Sequence, residues 1–128
     1  MNRVTGFRWE RPTGCPEHLA LYLLAEGDWR EQARTVSCHQ DIAATSCFAV
    51  GMLADVRSAA IEAPSIYRDL YREAGLLGQV LYLEAEAAGA RATGIGCYYD
   101  EPVHELLGLS GYVWQDLYHF SMGLPIED

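Results

Sequence analysis

The sequence of 128 residues has no lysine: all nine permanent cations are arginines, set against eighteen acids, for a formal net charge of −9. After Arg91 neither lysine nor arginine occurs, while Asp100, Glu101, Glu105, Asp116, Glu127 and Asp128 all follow. This balance excludes generic binding to nucleic acid or to anionic membranes, both of which need clustered cations. No apolar run reaches the roughly 20 residues of a membrane span. The first residues, "MNRVTGFRWERPTGCPEH", lack the apolar core of a signal peptide. The expectation is a cytoplasmic protein. Cysteine is sparse too: Cys15, Cys38, Cys47 and Cys97 form no CxxC pair, so reduced thiols are expected and neither a disulfide framework nor a zinc ribbon is indicated. His18, His39, His104 and His119 show no HxH or HxxxH spacing, so no metal centre is expected and each histidine reads as exposed or singly satisfied.

What is present suits one compact domain, with 50% apolar and 21% charged residues. We read residues 1–128 as a single domain, with an irregular arm over 1–17, where Pro12 and Pro16 stand, and a core over 18–128. "LALYLLAEGD" predicts a strand and turn, with Asp28 as N-cap of an amphipathic helix over "WREQARTVSCHQ". "SCFAVGMLADV" predicts a strand buried on both faces. Pro64 and Ser65 mark the start of a long helix, and Gly89 its stop. "ARATGIGCYY" predicts an inner strand, "DEPVHELLG" a short helix closed by Gly108, and "YVWQDLYHFSMGLP" a final strand. A strand, a long helix and a strand in succession imply a crossover between parallel strands, hence an α+β (or α/β) fold with a mixed sheet flanked by helices.

The long helix carries two stripes. Ile66, Leu70, Ala74, Leu77, Leu81, Ala85 and Ala88 recur at helical spacing, and beside them run Tyr67, Tyr71, Gly75, Gly78 and Tyr82. Glycine inside a helix costs roughly 1 kcal/mol relative to alanine, so a packing reason is expected. Three are open: a second helix crossing at a dimer interface, a planar ligand, or a bulky side chain reaching up from the sheet. Gln79 and Glu73 flank the glycine patch and are the polar groups placed to orient anything bound there. In "TGIGCYYDE", Gly94 and Gly96 alternate along the presumed strand and clear one face for close approach to the backbone. That pattern is not GxGxxG, so no dinucleotide fingerprint is present. In "SCHQD", Cys38 and His39 are adjacent and would point about 100° apart on a helix, so they do not form a nucleophile and base pair.

Taken together, "LYLLAEGDWREQARTVSCHQDIA", "FAVGMLADV", "LYREAGLLGQVLYLEAEAAGARATGIGCYYDEPVHELLGL" and "LYHFSMGLPIED" resemble the nitroreductase-like flavoprotein superfamily. The similarity is to the C-terminal half of its bacterial branch related to thiazole- and oxazole-forming dehydrogenases. The resemblance implies a partial nitroreductase-like fold, an intertwined homodimer packed through the long central helices, and FMN at the dimer interface. It implies that the backbone of Gly94, Ile95 and Gly96 runs along the flavin, with Gln79 and Glu73 nearby, and that hydride passes between NAD(P)H and a small oxidised substrate. No protein nucleophile is required, because the flavin carries the chemistry. The family holds the flavin phosphate with arginines near its amino terminus, a role in which Arg3, Arg8 and Arg11 could substitute only if the short arm folds back to the site. The alternatives are a half-domain completed by another chain and a flavin-free structural or binding dimer.

Overall fold

The computed structural model describes residues 6–57, 61 and 63–125. Its elements are α1 (Arg30–Val36), α2 (Ile42–Thr45), β1 (Phe48–Asp55), α3 (Ile66–Ala87), β2 (Arg91–Ile95), α4 (Asp100–Leu107) and β3 (Trp114–Gly123). No helix among the described residues is long and apolar enough to cross a membrane.

The three strands form one sheet in the order β1-β3-β2, and β3 is antiparallel to both neighbours. Strands β1 and β2 therefore run in the same direction, as a crossover through α3 requires, but they do not pair. The expected mixed sheet is thus corrected to an antiparallel one, because the last strand inserts between the other two. Strand β3 is the element that burial favours for the centre: Asp116, Leu117, His119, Phe120 and Ser121 are all buried. Strand β1, expected to be covered on both faces, is instead an edge strand with Phe48 half exposed, and β2 is the other edge. The "LALYLLAEGD" segment forms only a single bridge, Glu10 to Leu23, in place of the expected strand. Through that bridge and the bond from Arg8 N–H to the Leu24 carbonyl, the arm is folded back onto residues 18–26.

Asp28, expected as N-cap of the first helix, stands one residue before the cap: α1 is capped by Trp29 with no side-chain cap bond, and it stops at Val36, short of the expected Gln40. Asp28 accepts the Arg30 backbone N–H at 3.2 Å and the Arg30 guanidinium at 2.8 Å, which together hold its carboxyl down at about 2. Helix α3 stops in a Schellman arrangement: Gly89 is left-handed, and the N–H groups of Ala90 and Gly89 return to the carbonyls of Ala85 and Glu86. Gly108 closes α4 in the same way, with Leu109 and Gly108 bonded back to His104 and Glu105.

Strand alternation sends successive β3 side chains to opposite faces. Tyr118 and Phe120 rise to α3, where Tyr82 meets Phe120 edge-on at 4.8 Å. His119 falls to the side of α1 and α4. Two of the glycines are explained by Tyr118. A Cβ on Gly78 would lie 2.7 Å from Tyr118 Cε1, and one on Gly94 would overlap the Tyr118 hydroxyl. Gly78 and Gly94 thus form a slot, one wall from helix and one from strand, that accepts a large side chain from the same chain. Gly75, by contrast, faces open space.

Of the expected dimer surface of Tyr67, Tyr71, Gly75, Gly78 and Tyr82, only Gly78 is turned inward, buried with Ala74 and Ala85 against the chain's own sheet. Tyr82 packs on Phe120 and Tyr67 meets Tyr71 edge-on at 5.2 Å, yet all three tyrosines remain partly exposed and Gly75 faces open space. The aliphatic residues left uncovered lie elsewhere on α3: Leu76, Leu77, Val80 and Leu83 are 69%, 52%, 53% and 61% exposed. Leu77, expected on the inward stripe, belongs to this outer group.

Cys38 and Cys97 are joined in a disulfide, with Cα atoms 5.7 Å apart, while Cys15 and Cys47 are free. Four reduced thiols were not the outcome, because the fold brings together two cysteines 59 residues apart. The bond ties the turn after α1 to the end of β2.

Two measurements test this packing. In urea unfolding, Gly78→Ala is expected to cost about 1–3 kcal/mol by overpacking Tyr118. Gly75→Ala is expected to gain about 0.5–1 kcal/mol, the ordinary helix benefit; effects of the same sign would contradict the slot. Protein purified without reductant and then unfolded should show only the Cys15 and Cys47 thiols. Reduction should then cost about 2–4 kcal/mol of stability, a loss read as a fall in Tm.

Candidate functional site

Below the sheet, a cavity of about 410 Å³ opens between α1, α4 and β1. Its wall is apolar, drawn from residues such as Trp29, Val36, Leu53 and Leu106, and its polar side chains are Gln32, Ser37 and His119. The two last belong to a buried network. Ser37 Oγ lies 2.9 Å from His119 Nδ1, and His119 Nε2 lies 2.6 Å from Asp116 Oδ2. Ser37 and His119 are 2% and 5% exposed, and Asp116 is fully buried behind them.

The local fold explains how these groups meet. On a regular strand, Asp116 and His119 would face opposite ways, being three residues apart. The β1 and β3 register breaks between Met52, paired with Tyr118, and Leu53, paired with Asp116. Leu117 is the extra residue of that bulge, and it restores Asp116 to the face of His119. Opposite His119 in the register stands Gly51, on which a Cβ would come within 3.3 Å of Nε2. Ser37 is the last residue before a sharp turn: Cys38 and His39 both hold left-handed backbone, at φ 54° and 58°. Such conformations cost of order 1–3 kcal/mol each in non-glycine residues, and the disulfide at Cys38 helps to hold this one. Tyr98, next to Cys97, stacks on the His119 ring at 4.9 Å and donates its hydroxyl to the Asp116 carbonyl at 3.2 Å. Burial pushes the Tyr98 hydroxyl above its ordinary value, and the Asp116 charge adds to that, so the ring stays neutral.

An ionised carboxylate only accepts, so His119 Nε2 donates to Asp116. In the neutral imidazole this leaves Nδ1 as the acceptor for the Ser37 hydroxyl. The expectation of exposed or singly satisfied histidines is corrected here: His119 is bonded at both nitrogens. The Cys38 and His39 pair does no such work, since Cys38 is in the disulfide and His39 packs on Tyr99. Sequence inspection missed the group because Ser37 lies 82 residues from His119, and because Asp116 and His119, three apart, would face opposite ways on a regular strand. A buried acid three residues before a histidine in an otherwise apolar final strand was the available signal.

The residues expected to border a flavin are not gathered in this cavity. Gly94 lies on the α3 side of the sheet, its face filled by Tyr118 and its N–H donated to the Tyr82 hydroxyl at 2.7 Å. The Ile95 side chain is buried in the core, while Gly96 is open to solvent. Gln79 and Glu73 are exposed on α3. Arg8 is paired with Glu26 at 3.2 Å, and Arg11 donates to the carbonyls of Pro16 and Leu19. Arg3 lies outside the described residues. With these arginines engaged locally and the Gly94 face filled, the described residues of one chain do not complete a site for FMN.

No protein-family model matches the chain, and no curated protein matches it. Two solved structures do. One is a candidate nitroreductase from Anabaena variabilis, at 25% identity and a TM-score of 0.75, over 82% of this chain and 22% of that one. The other is a candidate NAD(P)H:FMN oxidoreductase from Staphylococcus epidermidis, at 13% identity and a TM-score of 0.60, over 80% of this chain and 64% of that one. The chain spans less than two thirds of either structure, and its small α+β fold is that of a partial nitroreductase-like domain.

Proposed function

We propose that the chain is one protomer of a nitroreductase-like oxidoreductase whose FMN site is completed by a second chain. The reaction would be hydride transfer between NAD(P)H and a small oxidised substrate, in the cytoplasm. The observation that carries this reading is helix α3. Its small-residue face covers the chain's own sheet, and its other face leaves Leu76, Leu77, Val80 and Leu83 uncovered in a fold shared with a candidate FMN oxidoreductase. An apolar stripe of that kind favours a protein partner over water. A second copy of the chain is the simplest partner, since a two-fold axis would set the same stripe against itself.

Within this reading the backbone at Gly96 is the open part of "TGIGC", and Gln79 and Glu73 are the exposed polar groups on α3. Gly94 and Ile95 contribute by shaping the strand, not by presenting free groups. In either copy no lysine or arginine follows Arg91 and Arg8 is paired, so holding the phosphate would require an arginine such as Arg8 to leave its present partner.

Sedimentation and quenching of FMN fluorescence test both halves together. The wild-type chain is expected to be a dimer that binds FMN. Val80→Glu with Leu83→Glu is expected to weaken association and FMN binding by about tenfold or more, which is about 1.4 kcal/mol. A dimer that never takes up FMN would favour the flavin-free structural reading. A monomeric variant with undiminished FMN binding would contradict a site shared between chains.

A further inference from the structure

We propose that Ser37, His119 and Asp116 form a second chemical site, an acyl-transfer centre that hydrolyses small uncharged esters with an apolar acyl group held in the cavity beside α1. Four observations carry it. The nucleophile and base are in hydrogen-bond contact at 2.9 Å, and the base is fixed by a buried carboxylate at 2.6 Å. Ser37 and His119 both reach the cavity wall, whereas Asp116 sits behind them out of contact with it. The strained turn at Cys38 and His39 follows directly on Ser37, and backbone strain of that kind gathers at reactive sites. Finally, Gln32 lines the same cavity, and its buried Oε1 has no hydrogen-bond partner among the described residues. With the amide turned over, Nε2–H stands in place of that oxygen as a donor to a developing oxyanion.

The roles follow from the geometry. The Ser37 Oγ attacks the ester carbonyl carbon as its proton passes to His119 Nδ1. The tetrahedral intermediate collapses with loss of the alcohol, which takes that proton from Nδ1, and leaves the acyl group esterified to Ser37. Water then attacks the acyl carbon, gives a proton to Nδ1, and releases the acid as Ser37 Oγ recovers the proton. The sum is ester plus water to acid plus alcohol. Asp116 acts as a positioning residue: it holds Nε2–H and so keeps Nδ1 bare. The substrate class follows from the wall. Among the described lining residues there is no Arg, Asp or Glu, so a charged acyl group would be buried without a partner. A volume of about 410 Å³ suits a short to medium chain. With one side-chain donor for the oxyanion, activated carbonyls such as esters are within reach and amides are not.

The test uses the full folded chain with p-nitrophenyl butyrate and a fluorophosphonate probe. The expected result is steady hydrolysis of the ester and a covalent phosphonate on Ser37, located by peptide mass spectrometry, which needs no variant. Ser37→Ala should abolish the label and lower hydrolysis on the order of a hundredfold or more, with an unchanged circular dichroism spectrum. Asp116→Asn should lower kcat far more than KM and move the His119 ring proton toward Nδ1 in nitrogen-resolved NMR, a pair of changes that a merely structural role would not produce. Absence of labelling in the folded wild-type chain, a label on another residue, or hydrolysis undiminished in Ser37→Ala would overturn the proposal.

Discussion

Strand β3 is paired along both edges and covered on both faces, and the rest of the fold answers what its alternating side chains need. Upward, Tyr118 requires a slot, which Gly78 and Gly94 supply from two different elements. Downward, His119 requires partners for both ring nitrogens, since an unpaired buried polar group costs about 1–3 kcal/mol. Ser37 and Asp116 provide them. The second of these partnerships depends on a bulge at Leu117, without which Asp116 would face α3. One irregular residue thus decides whether the lower face holds a connected network or an isolated histidine.

The same strand determines how α3 is used. Its small residues Ala74, Gly78 and Ala85 let the helix approach the sheet closely, so Gly78 is taken out of the stripe expected to face a partner. What remains outward is Tyr67, Tyr71 and Tyr82 together with an aliphatic group. An α3 that turned Gly78 outward would have to expel Tyr118 from its slot, and Phe120 would lose its edge contact with Tyr82. The inward face is therefore fixed by packing, and Leu76, Leu77, Val80 and Leu83 are left exposed.

Much of the fold was legible in the sequence, and the reasons are local. Ser65, Gly89 and Gly108 mark helix ends through backbone rules that act over a few residues, and α3, α4 and β3 stand where those signals put them. Pairing was not legible. "SCFAVGMLADV" is more apolar than "WQDLYHFSMG", yet the latter takes the centre, where His119 is bonded to Asp116 within the strand and to Ser37 outside it. Hydrophobicity alone ranks those two strands wrongly. The disulfide was equally hidden, since Cys38 and Cys97 are separated by 59 residues and meet where the Tyr99 N–H bonds to the Val36 carbonyl at the end of α1. The two glycines were noticed in sequence, but nothing local reveals that a single tyrosine from β3 meets both.

The account rests most directly on His119 held between a hydroxyl and a carboxylate on the bulged face of β3. Nitrogen-resolved NMR of the imidazole reads this arrangement in the folded chain. In the neutral imidazole one tautomer is expected, with the proton on Nε2 and Nδ1 bare. A mixture of tautomers exchanging as in a solvent-exposed histidine, or a proton found on Nδ1 with Nε2 bare, would contradict it.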